Sequence, residues 1–383
     1  MIDKTLIRKV RRDLHQIPEA SLKEFKTSKY IENFLKKRGI SYNYVTETGI
    51  IAFIEGKNRD IKIGLRADMD ALEIKEENHF DFISKHNGYM HACGHDFHMS
   101  NLLGIIDYYS DKQPEISIIF IFQPAEEGAG GAKLMIENDL YNFYGKPDFI
   151  FGYHIKPDLK TGLISASPKE AWAGTLSIRI SFLGDGGHGA NPHKSQDLIS
   201  IFSTWYLHIQ NYISRKFNAQ KSIVFTVGKI DGADRINIIP TTLEVEGMLR
   251  YFNNADKEFI LKQIEDSAKS FTKLYGADAK IEIIRDAMPI INDETLFHSI
   301  KSFYDNQKLD SNYPTLQVAS PVMLAEDFSE YLKDIRGVFF FLGVMKEQKQ
   351  ELHTPNLSPD EDALSFGVNF IINLIDNYQK WII

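Results

Sequence analysis

Short apolar runs alternate with helical patterns in the first part of the chain and again after Pro289. Runs of this kind are typical of strands in the middle of a sheet that has helices packed against it. The runs are Ile61–Leu65, Ile116–Phe122, Phe149–Tyr153 and Val338–Leu342. The alternation predicts an α/β fold in which helices cover both faces of the sheet.

A different pattern occupies the region between residues 168 and 286. Thr175–Phe182 alternates apolar and polar side chains, as a strand with one solvated face does. Further strands are predicted at Ser222–Lys229, Leu243–Tyr251 and Lys280–Ile284, and helices at Asp197–Arg215 and Asp256–Leu274. We therefore expect an α+β domain, residues 168–286, inserted into an α/β domain made of residues 1–167 and 287–383.

Composition and charge exclude several classes of partner. The net charge of −8 argues against a surface for nucleic acid or for an anionic membrane. The single cysteine cannot form an internal disulfide, and no apolar run is long enough to span a bilayer. The charged, amphipathic residues 1–17 do not resemble a signal peptide. We therefore expect a cytoplasmic protein that acts on a small molecule.

The stretch Tyr89–His98, YMHACGHDFH, is the part of the chain that is densest in metal-binding side chains. In an extended backbone Cys93 and His95 would point the same way. A thiolate with an imidazole suits zinc and similar transition metals. Taken alone, a surface loop with chance histidines is the simpler interpretation, so the decision rests on further ligands.

Further metal-binding side chains stand near the ends of other predicted strands. Glu126 and Glu127 follow the second apolar run, His154 ends the third, and His353 lies in a loop beyond the fourth. Ligands bind outside the carboxyl ends of strands in open α/β sheets. In a pair of adjacent glutamates, one carboxylate can bind metal while the other acts as a general base. Taken alone, the pair is also compatible with a solvated turn, and His154 with a hydrogen-bonded strand-end histidine.

Asp68 and Asp70 follow the first apolar run and point the same way along an extended backbone. Two interpretations stay open for them. A carboxylate can orient an imidazole that binds metal, or it can pair with the neighbouring Arg66.

The five candidate ligands are more than one tetrahedral structural zinc requires. They are Cys93, His95, Glu127, His154 and His353. The set suits two divalent metal ions about 3.5 Å apart, which activate water and polarise a carbonyl. The sequence therefore indicates hydrolysis of an amide or related acyl bond, and leaves manganese, zinc, cobalt and nickel open.

Seven motifs, in order and nearly from end to end, carry a family resemblance. They are RRDLHQIPE at Arg11–Glu19, LRADMDAL at Leu65–Leu72, MHACGHD at Met90–Asp96, FQPAEEG at Phe122–Gly128, GGHGANPH at Gly186–His193, EDF at Glu326–Phe328 and LHTP at Leu352–Pro355. With them the chain resembles the dinuclear-metal amidohydrolases of the aminoacylase and carboxypeptidase type, which include hippurate hydrolases and plant auxin-conjugate amidohydrolases. The resemblance implies a metallopeptidase-like catalytic domain with a mixed sheet, interrupted by a lid or dimerisation domain.

Carried over by motif, the resemblance implies that the five candidates are the metal ligands and that Glu126 is the general base. Asp68 and Asp70 lie in the motif that supports the metal centre. His188 matches a histidine that in relatives reaches a neighbouring subunit's active site and stabilises the oxyanion, which implies a homodimer or larger homo-oligomer. The resemblance also implies that Asn237 and Arg250 hold the substrate carboxylate, with ordinary sheet-edge packing as the alternative.

Two runs resemble the bacterial N-acetyldiaminopimelate deacetylase group within this family: the first motif continued to Glu24–Thr27, and Phe122–Lys133. The implied reaction is deacetylation of N-acetyl-L,L-diaminopimelate to L,L-diaminopimelate and acetate, in lysine and cell-wall precursor synthesis. The alternatives are hydrolysis of another N-acyl amino acid, hippurate or a small peptide, and a non-catalytic ligand-binding homologue. Glu73 and Asn356–Leu357 depart from the family pattern without touching an expected ligand.

Overall fold

The computed structural model describes residues 2–232, 235–307 and 314–382. In these ranges the α-helices are α1 (Lys4–His15), α2 (Phe25–Lys37), α3 (His95–Tyr109), α4 (Gly131–Glu137), α5 (Leu198–Lys216), α6 (Asn254–Leu274), α7 (Glu294–Asn306) and α8 (Ala363–Asp376). The strands are β1 (Ser41–Tyr44), β2 (Ile50–Ile54), β3 (Asn58–Asp68), β4 (Ile116–Gln123), β5 (Phe149–Lys160), β6 (Leu163–Ala166), β7 (Glu170–Trp172), β8 (Gly174–Leu183), β9 (Gly187–His188), β10 (Val224–Asp231), β11 (Ile238–Ile239), β12 (Thr242–Tyr251), β13 (Asp278–Ala287), β14 (Ile290–Ile291), β15 (Thr315–Val318) and β16 (Arg336–Met345).

The described residues form two compact units. The first unit is drawn from Met1–Ala171, Ile291–Ser320 and Asp327–Ile383, and the second from Trp172–Ile290 and Pro321–Glu326. The sequence prediction placed the two boundaries of the inserted domain a few residues earlier, after residues 167 and 286. The short return of residues 321–326 to the second unit has no counterpart in that prediction.

An eight-stranded mixed sheet forms the centre of the first unit, in the order β1-β2-β4-β3-β5-β16-β6-β15. The four inner strands β4, β3, β5 and β16 run parallel to one another, while β2 is antiparallel to β4. The Ile and Phe side chains of β4 are buried along the whole strand, as expected for a strand inside a parallel sheet. Because the inner strands share one direction, the residues that follow them meet at one edge of the sheet.

Helices α1, α3 and α8 form one packed group on this sheet, in which each helix contacts the other two. Helix α3 also packs against β3 and β5, and it is buried on nearly all sides. Helix α1 is amphipathic and turns Ile7, Val10 and Leu14 into the core. Each such side chain contributes roughly 1.5–3 kcal/mol of transfer free energy when it is buried. This packing fixes the N-terminus of α3 near the edge where the inner strands end.

Two observed boundaries differ from the sequence prediction, and both concern expected ligands. Helix α3 begins at His95, not near His98, because Gly94 turns the chain with a φ of +84°. A Cβ at Gly94 would also lie 2.2 Å from Ile155 Cδ1, so only glycine fits there. The extended backbone expected for Cys93–His95 is therefore wrong. Strand β5 continues to Lys160, so His154 lies within the strand and does not end it.

The second unit contains an antiparallel four-stranded sheet in the order β10-β12-β8-β13. Helices α5 and α6 pack against each other and against this sheet. Strands β8 and β12 alternate buried and partly exposed residues, so one face of the sheet lies on the helices. The unit also contains the short antiparallel pair β9 and β11. In the described part of the chain, no helix combines the length and the apolar character needed to cross a membrane.

Candidate metal centre

Five segments of the first unit bring the predicted ligands together. The turn before α3 supplies Cys93, the first residue of that helix is His95, and the loop after β4 carries Glu127. His154 comes from the middle of β5, and His353 from the loop after β16. Their donor atoms form overlapping groups in which every atom lies within 4.8 Å of the others. The structure thus places all five expected ligands at one location.

The Cys93 thiol lies at the centre of this cluster. Its Sγ is 3.2 Å from His154 Nε2 and 3.2 Å from His353 Nε2. One group of candidate donors joins Cys93 to His95 and His154, and a second joins it to Glu127 and His353. Donors that bind a common ion at about 2.0–2.3 Å stand about 3–4 Å from each other, so these separations suit shared coordination. Cys93 is the donor that the two groups have in common.

In two of the histidines a backbone carbonyl binds Nδ1 and so determines the tautomer of the ring. His95 donates from Nδ1 to the Asp70 carbonyl oxygen at 2.8 Å. His154 donates from Nδ1 to the carbonyl oxygen of Ile155 at 2.8 Å. In the neutral form of either ring the lone pair is therefore on Nε2, the nitrogen that faces the cluster. Burial also lowers the pKa of His154 well below its ordinary value, which keeps this ring neutral and able to bind metal.

The loop with Glu126 and Glu127 is held by the side chain of Asp70. The Glu126 amide donates to Asp70 Oδ1 at 3.1 Å, and the Glu127 amide donates to Asp70 Oδ2 at 3.0 Å. Since the Asp70 carbonyl also binds His95, this one residue fixes two elements of the centre. Glu127 Oε1 lies 3.4 Å from His353 Nε2 and 4.0 Å from His95 Nε2. Glu126 belongs to a candidate group with His95 and Glu127, so its carboxylate stands beside the ligands.

Asp68 binds His98, a residue that was not among the candidates predicted from the sequence. His98 donates from Nδ1 to Asp68 Oδ1 at 2.6 Å, and its Nε2 accepts the Ile155 amide at 3.0 Å. Both nitrogens of His98 are therefore used, and this ring has no lone pair for a metal. The sequence signal for this role was the position of His98 three residues after His95, because residues at that spacing lie on the same face of a helix.

Arg66 secures Asp68 from the other side. It donates from Nη1 to Asp68 Oδ2 at 2.7 Å, from Nη2 to Asp327 Oδ1 at 2.9 Å and from Nε to Gln123 Oε1 at 2.8 Å. Burial opposes ionisation of Asp68, but His95, His98 and Arg66 outweigh it and hold the pKa of Asp68 well below its usual range. The ion pair with Arg66, one of the two sequence interpretations, occurs, whereas the imidazole that Asp68 binds is that of His98, which has no lone pair for a metal.

Three features of the cluster fit divalent metal ions. Neither His95 Nε2 nor Glu127 Oε1, both buried, has a hydrogen-bond partner among the described residues. Burial raises the pKa of the Cys93 thiol well above its usual value, so a thiolate there requires a neighbouring cation. Burial opposes a charge on His95, yet Asp68 and Asp70 raise the pKa of His95 well above its ordinary value. Its surroundings therefore favour positive charge, as a metal would supply.

The remaining predicted residues lie in the second unit. His188 pairs with Ile238 in the β9–β11 ladder, and its Nδ1 accepts the Ala190 amide at 3.1 Å. The proton of the neutral ring is therefore on Nε2, which can donate to an oxygen. A cavity of about 640 Å³ is lined by His188 and Asn237 together with neighbouring residues of this unit. Asn237 is exposed, and its carbonyl accepts the Gly189 amide at 2.8 Å.

Arg250 lies on β12, an inner strand of the four-stranded sheet, so the edge position considered from the sequence is wrong. Its guanidinium is half-buried and donates from Nη1 to the Thr175 hydroxyl on the neighbouring strand β8. This contact uses one of the N–H groups of the Arg250 guanidinium. A bidentate carboxylate contact would use two donors of the same group.

The first unit therefore combines a five-donor cluster with an adjacent carboxylate that can exchange protons. Such a combination can activate water and direct it at a carbonyl carbon. The carboxylate of Glu126 is largely buried, and it lies next to a ligand in sequence and in space. Hydrolysis of an amide is the reaction class that these groups serve.

Known proteins share this organisation. A model of the family described as peptidase family M20/M25/M40 matches residues 64–377. An N-acetyldiaminopimelate deacetylase of Listeria innocua is 36% identical over 370 residues, which cover 96% of this chain and 98% of that protein. A protein of the same name from Streptococcus pneumoniae is 34% identical over 363 residues, covering 94% and 95%. The solved structure of the Bacillus subtilis YXEP protein, a dinuclear metal-binding peptidase from the M20 family, is 28% identical, covers 99% of both chains and superposes with a TM-score of 0.85.

Proposed function

The chain belongs to peptidase family M20/M25/M40, and from this membership we propose its substrate, the roles of its site residues, its metals and its assembly. It is a metal-dependent amidohydrolase that binds divalent metal ions. The observation that carries the activity is the position of Glu126 beside a cluster of five metal-binding side chains, three of which are buried.

The proposed substrate is N-acetyl-L,L-diaminopimelate, which would be hydrolysed to L,L-diaminopimelate and acetate for lysine and cell-wall precursor synthesis. The support is the 36% identity with a deacetylase of that name over nearly the full length of both chains. For the compartment we propose the cytoplasm, where the thiol of Cys93 would stay reduced. Another N-acyl amino acid, hippurate or a small peptide is the alternative substrate.

We assign the metals to Cys93, His95, Glu127, His154 and His353, which would hold two ions of manganese, zinc, cobalt or nickel. The ions would supply acidity to a water molecule and polarise the substrate carbonyl. In their neutral forms the rings of His95 and His154 would present Nε2 to a metal ion, because each Nδ1–H is bound to a carbonyl oxygen. Cys93, His95 and His154 are buried, so bulk water is excluded from their donor atoms, which strengthens the electrostatic contacts there.

Glu126 is the proposed general base. Its carboxylate takes a proton from the attacking water and then delivers a proton to the leaving amine, so that one group serves both halves of the reaction. The hydrogen bond between its amide and Asp70 Oδ1 keeps the backbone of Glu126 in place during these transfers. Asp68 and Asp70 act through the groups that they hold, His98 in one case and the glutamate loop in the other.

His188 is proposed to complete the active site of a second copy of this chain. Its Nε2–H can donate to the carbonyl oxygen as negative charge develops there. Asn237 and Arg250 are proposed to bind the substrate carboxylate, Asn237 through its exposed amide and Arg250 through its guanidinium. These assignments require a homodimer or a larger homo-oligomer built from it.

Acetate release from N-acetyl-L,L-diaminopimelate by the purified protein tests the proposal. The protein would be treated with a chelator and then assayed with manganese, zinc, cobalt or nickel added back. N-acetylmethionine and hippurate are the comparison substrates, and the Glu126→Gln variant prepared in the same way controls for contaminating hydrolases. We expect metal-dependent release that clearly exceeds hydrolysis of both comparisons. Hydrolysis of the comparisons alone would overturn the substrate and keep the reaction class.

A further inference from the structure

A second buried carboxylate, besides Asp70, binds the loop that carries Glu126 and Glu127. Glu24 precedes helix α2 and is completely buried. Its Oε1 accepts the Ala125 amide at 2.9 Å, and its Oε2 accepts the Thr48 hydroxyl at 2.8 Å. Together with the two bonds to Asp70, three consecutive amides of the loop are therefore bound by two buried carboxylates.

The backbone at the contact with Glu24 is strained. Ala125 has a φ of +57°, in the left-handed region that side chains other than glycine rarely adopt. Leu22 has a φ of +63° and donates its amide to the same Glu24 Oε1 at 2.9 Å. One carboxylate oxygen thus stabilises two left-handed residues, one on each side of the contact. Strained backbone of this kind persists only where the surrounding structure imposes it.

The segment that contains Glu24 also contacts Asp70. Ser21, three residues earlier, donates its hydroxyl to Asp70 Oδ2 at 2.7 Å. The same oxygen accepts the Glu127 amide. Residues 21–24 therefore touch the glutamate loop twice, directly through Glu24 and indirectly through Asp70.

We propose that Glu24 is a positioning residue for Glu126. Glu24 holds Ala125 in its left-handed conformation and thereby sets the direction of the Glu126 carboxylate. This inference rests on the proposed function, in which Glu126 is the general base. Ala125 is the residue directly before Glu126, so a change of its backbone angles rotates the following side chain. Displacement of a reacting group by about 1 Å can lower the rate by roughly a hundred-fold.

The chemistry of the contact identifies an informative pair of variants. Glu24→Gln keeps a carbonyl oxygen that can accept both amides, while its amide group can donate to the Thr48 hydroxyl. Glu24→Ala removes all three bonds. If Glu24 positions Glu126 by accepting these two amides, the Glu24→Gln enzyme should keep its kcat although glutamine carries no charge. Glu32→Ala, a largely buried glutamate on α2 that contacts Lys29, Lys36 and Tyr42, is the matched control for loss of a carboxylate near this helix.

The experiment measures kcat, KM and bound metal for the three variants, together with hydrogen exchange of the peptide that covers residues 121–128. For Glu24→Ala we expect kcat to fall roughly ten- to hundred-fold, with KM and metal stoichiometry close to wild type. We also expect faster exchange of the 121–128 peptide. Glu24→Gln and Glu32→Ala should stay within about three-fold of wild type in kcat, with slow exchange of that peptide.

Several results would overturn the inference. They are an unchanged kcat per metal-loaded Glu24→Ala enzyme, a rise in KM alone, or unchanged exchange of residues 121–128. If Glu24→Ala does not fold, a Glu24→Gln enzyme with strongly reduced kcat would have the same meaning. If the wild-type protein hydrolyses none of the substrates, the proposed function fails, and the exchange measurement still decides whether Glu24 orders the loop.

Discussion

His98 is bound to Asp68 through Nδ1 at 2.6 Å, and this contact determines which histidine of α3 is available to metal. With Nδ1 donating, His98 Nε2 accepts the amide of Ile155, whose carbonyl in turn accepts the Nδ1–H of His154. A path of hydrogen bonds through Ile155 therefore connects Asp68 with the proposed ligand His154. With both ring nitrogens used, we expect His98 to support the metal centre without binding an ion.

Replacing His98 should weaken metal binding without removing an ion. His98→Leu removes the ring that binds Asp68 Oδ1 and the Ile155 amide, so Ile155, whose carbonyl binds His154, is held less firmly. We expect both ions to bind, with affinity reduced roughly 10- to 100-fold. Calorimetric metal titration with metal analysis after dialysis measures both quantities. His154→Leu is the contrasting variant, in which the stoichiometry itself should fall, and loss of an ion from His98→Leu would make His98 a ligand.

Glu126 and Glu127 allow adjacent carboxylates to be compared. Glu126→Gln keeps the backbone bond to Asp70, so the ions should remain while kcat falls by at least roughly 10²–10⁴-fold, the usual contribution of general base catalysis. Glu127→Gln should instead lose metal. Steady-state kinetics and metal analysis on the same preparations measure the two effects. An active Glu126→Gln enzyme would remove Glu126 from the base role.

Cys93 belongs to both donor groups, so its loss should affect both metal positions. We expect Cys93→Ala to retain less than the full complement of ions after dialysis and to lose turnover in proportion. Ser100→Ala, a buried residue of α3 whose hydroxyl binds the Asp96 carbonyl, controls for a small cavity near the centre. Full stoichiometry in Cys93→Ala would show that the thiol is not a ligand.

His91 should make the fold sensitive to acid. Neither of its ring nitrogens has a hydrogen-bond partner among the described residues, and burial lowers the pKa of His91 to about 3. In the unfolded chain the pKa is about 6.5, so the unfolded state binds the proton first as the pH falls. The free energy of unfolding therefore decreases between about pH 6.5 and about pH 3, by about 2 kcal/mol between pH 7 and pH 5.

Urea unfolding of the chelated protein at pH 7 and pH 5 measures this effect. His91→Leu removes the titrating group, so its free energy of unfolding should change less with pH than that of the wild type, by about the same 2 kcal/mol. Chelation excludes the contribution of metal release at low pH. An identical pH dependence in the variant would show that His91 is paired or hydrated in the folded protein.

The proposed role of His188 predicts complementation between inactive variants. His188→Ala should keep its metals and lose roughly 10²–10³-fold in kcat, as expected for removal of an oxyanion donor. If His188 serves a second copy, mixing His188→Ala with Glu126→Gln under exchange conditions should restore activity. Random pairing would give about one quarter of the wild-type value, because each mixed dimer contains one complete site. Absence of recovery in verified mixed dimers would place His188 in its own subunit's site.

The sequence was sufficient to predict the strands that precede Glu127 and His353. Apolar runs defined β4 and β16 to within a few residues, because strands buried on both faces require continuous apolar side chains. The five candidate ligands could be named since thiol, imidazole and carboxylate groups rarely gather near strand ends by chance. The family resemblance then supplied roles that spacing alone could not.

The supporting residues could not be predicted in the same way. The rings of His98 and His95 differ in their hydrogen-bond partners in the folded chain, and the sequence does not show which partners each ring has. Glu24 resembles any charged residue before a helix until Ala125 is seen beside it. The turn at Gly94 was missed because the period-two pattern of a strand also describes Cys93 and His95. Partners distant in sequence decide each of these cases.

His353 is separated from Cys93 by 260 positions in the chain. During synthesis on the ribosome, Cys93, His95, Glu127 and His154 emerge well before this last ligand, and the whole of Trp172–Ile290 is made in between. The segment after β16 must dock before the second donor group of Cys93 is complete. If metal binds as proposed, the site can be complete only after the segment beyond β16 has been made and has docked, and in a truncated product the Cys93 thiol would lack that protection against oxidation.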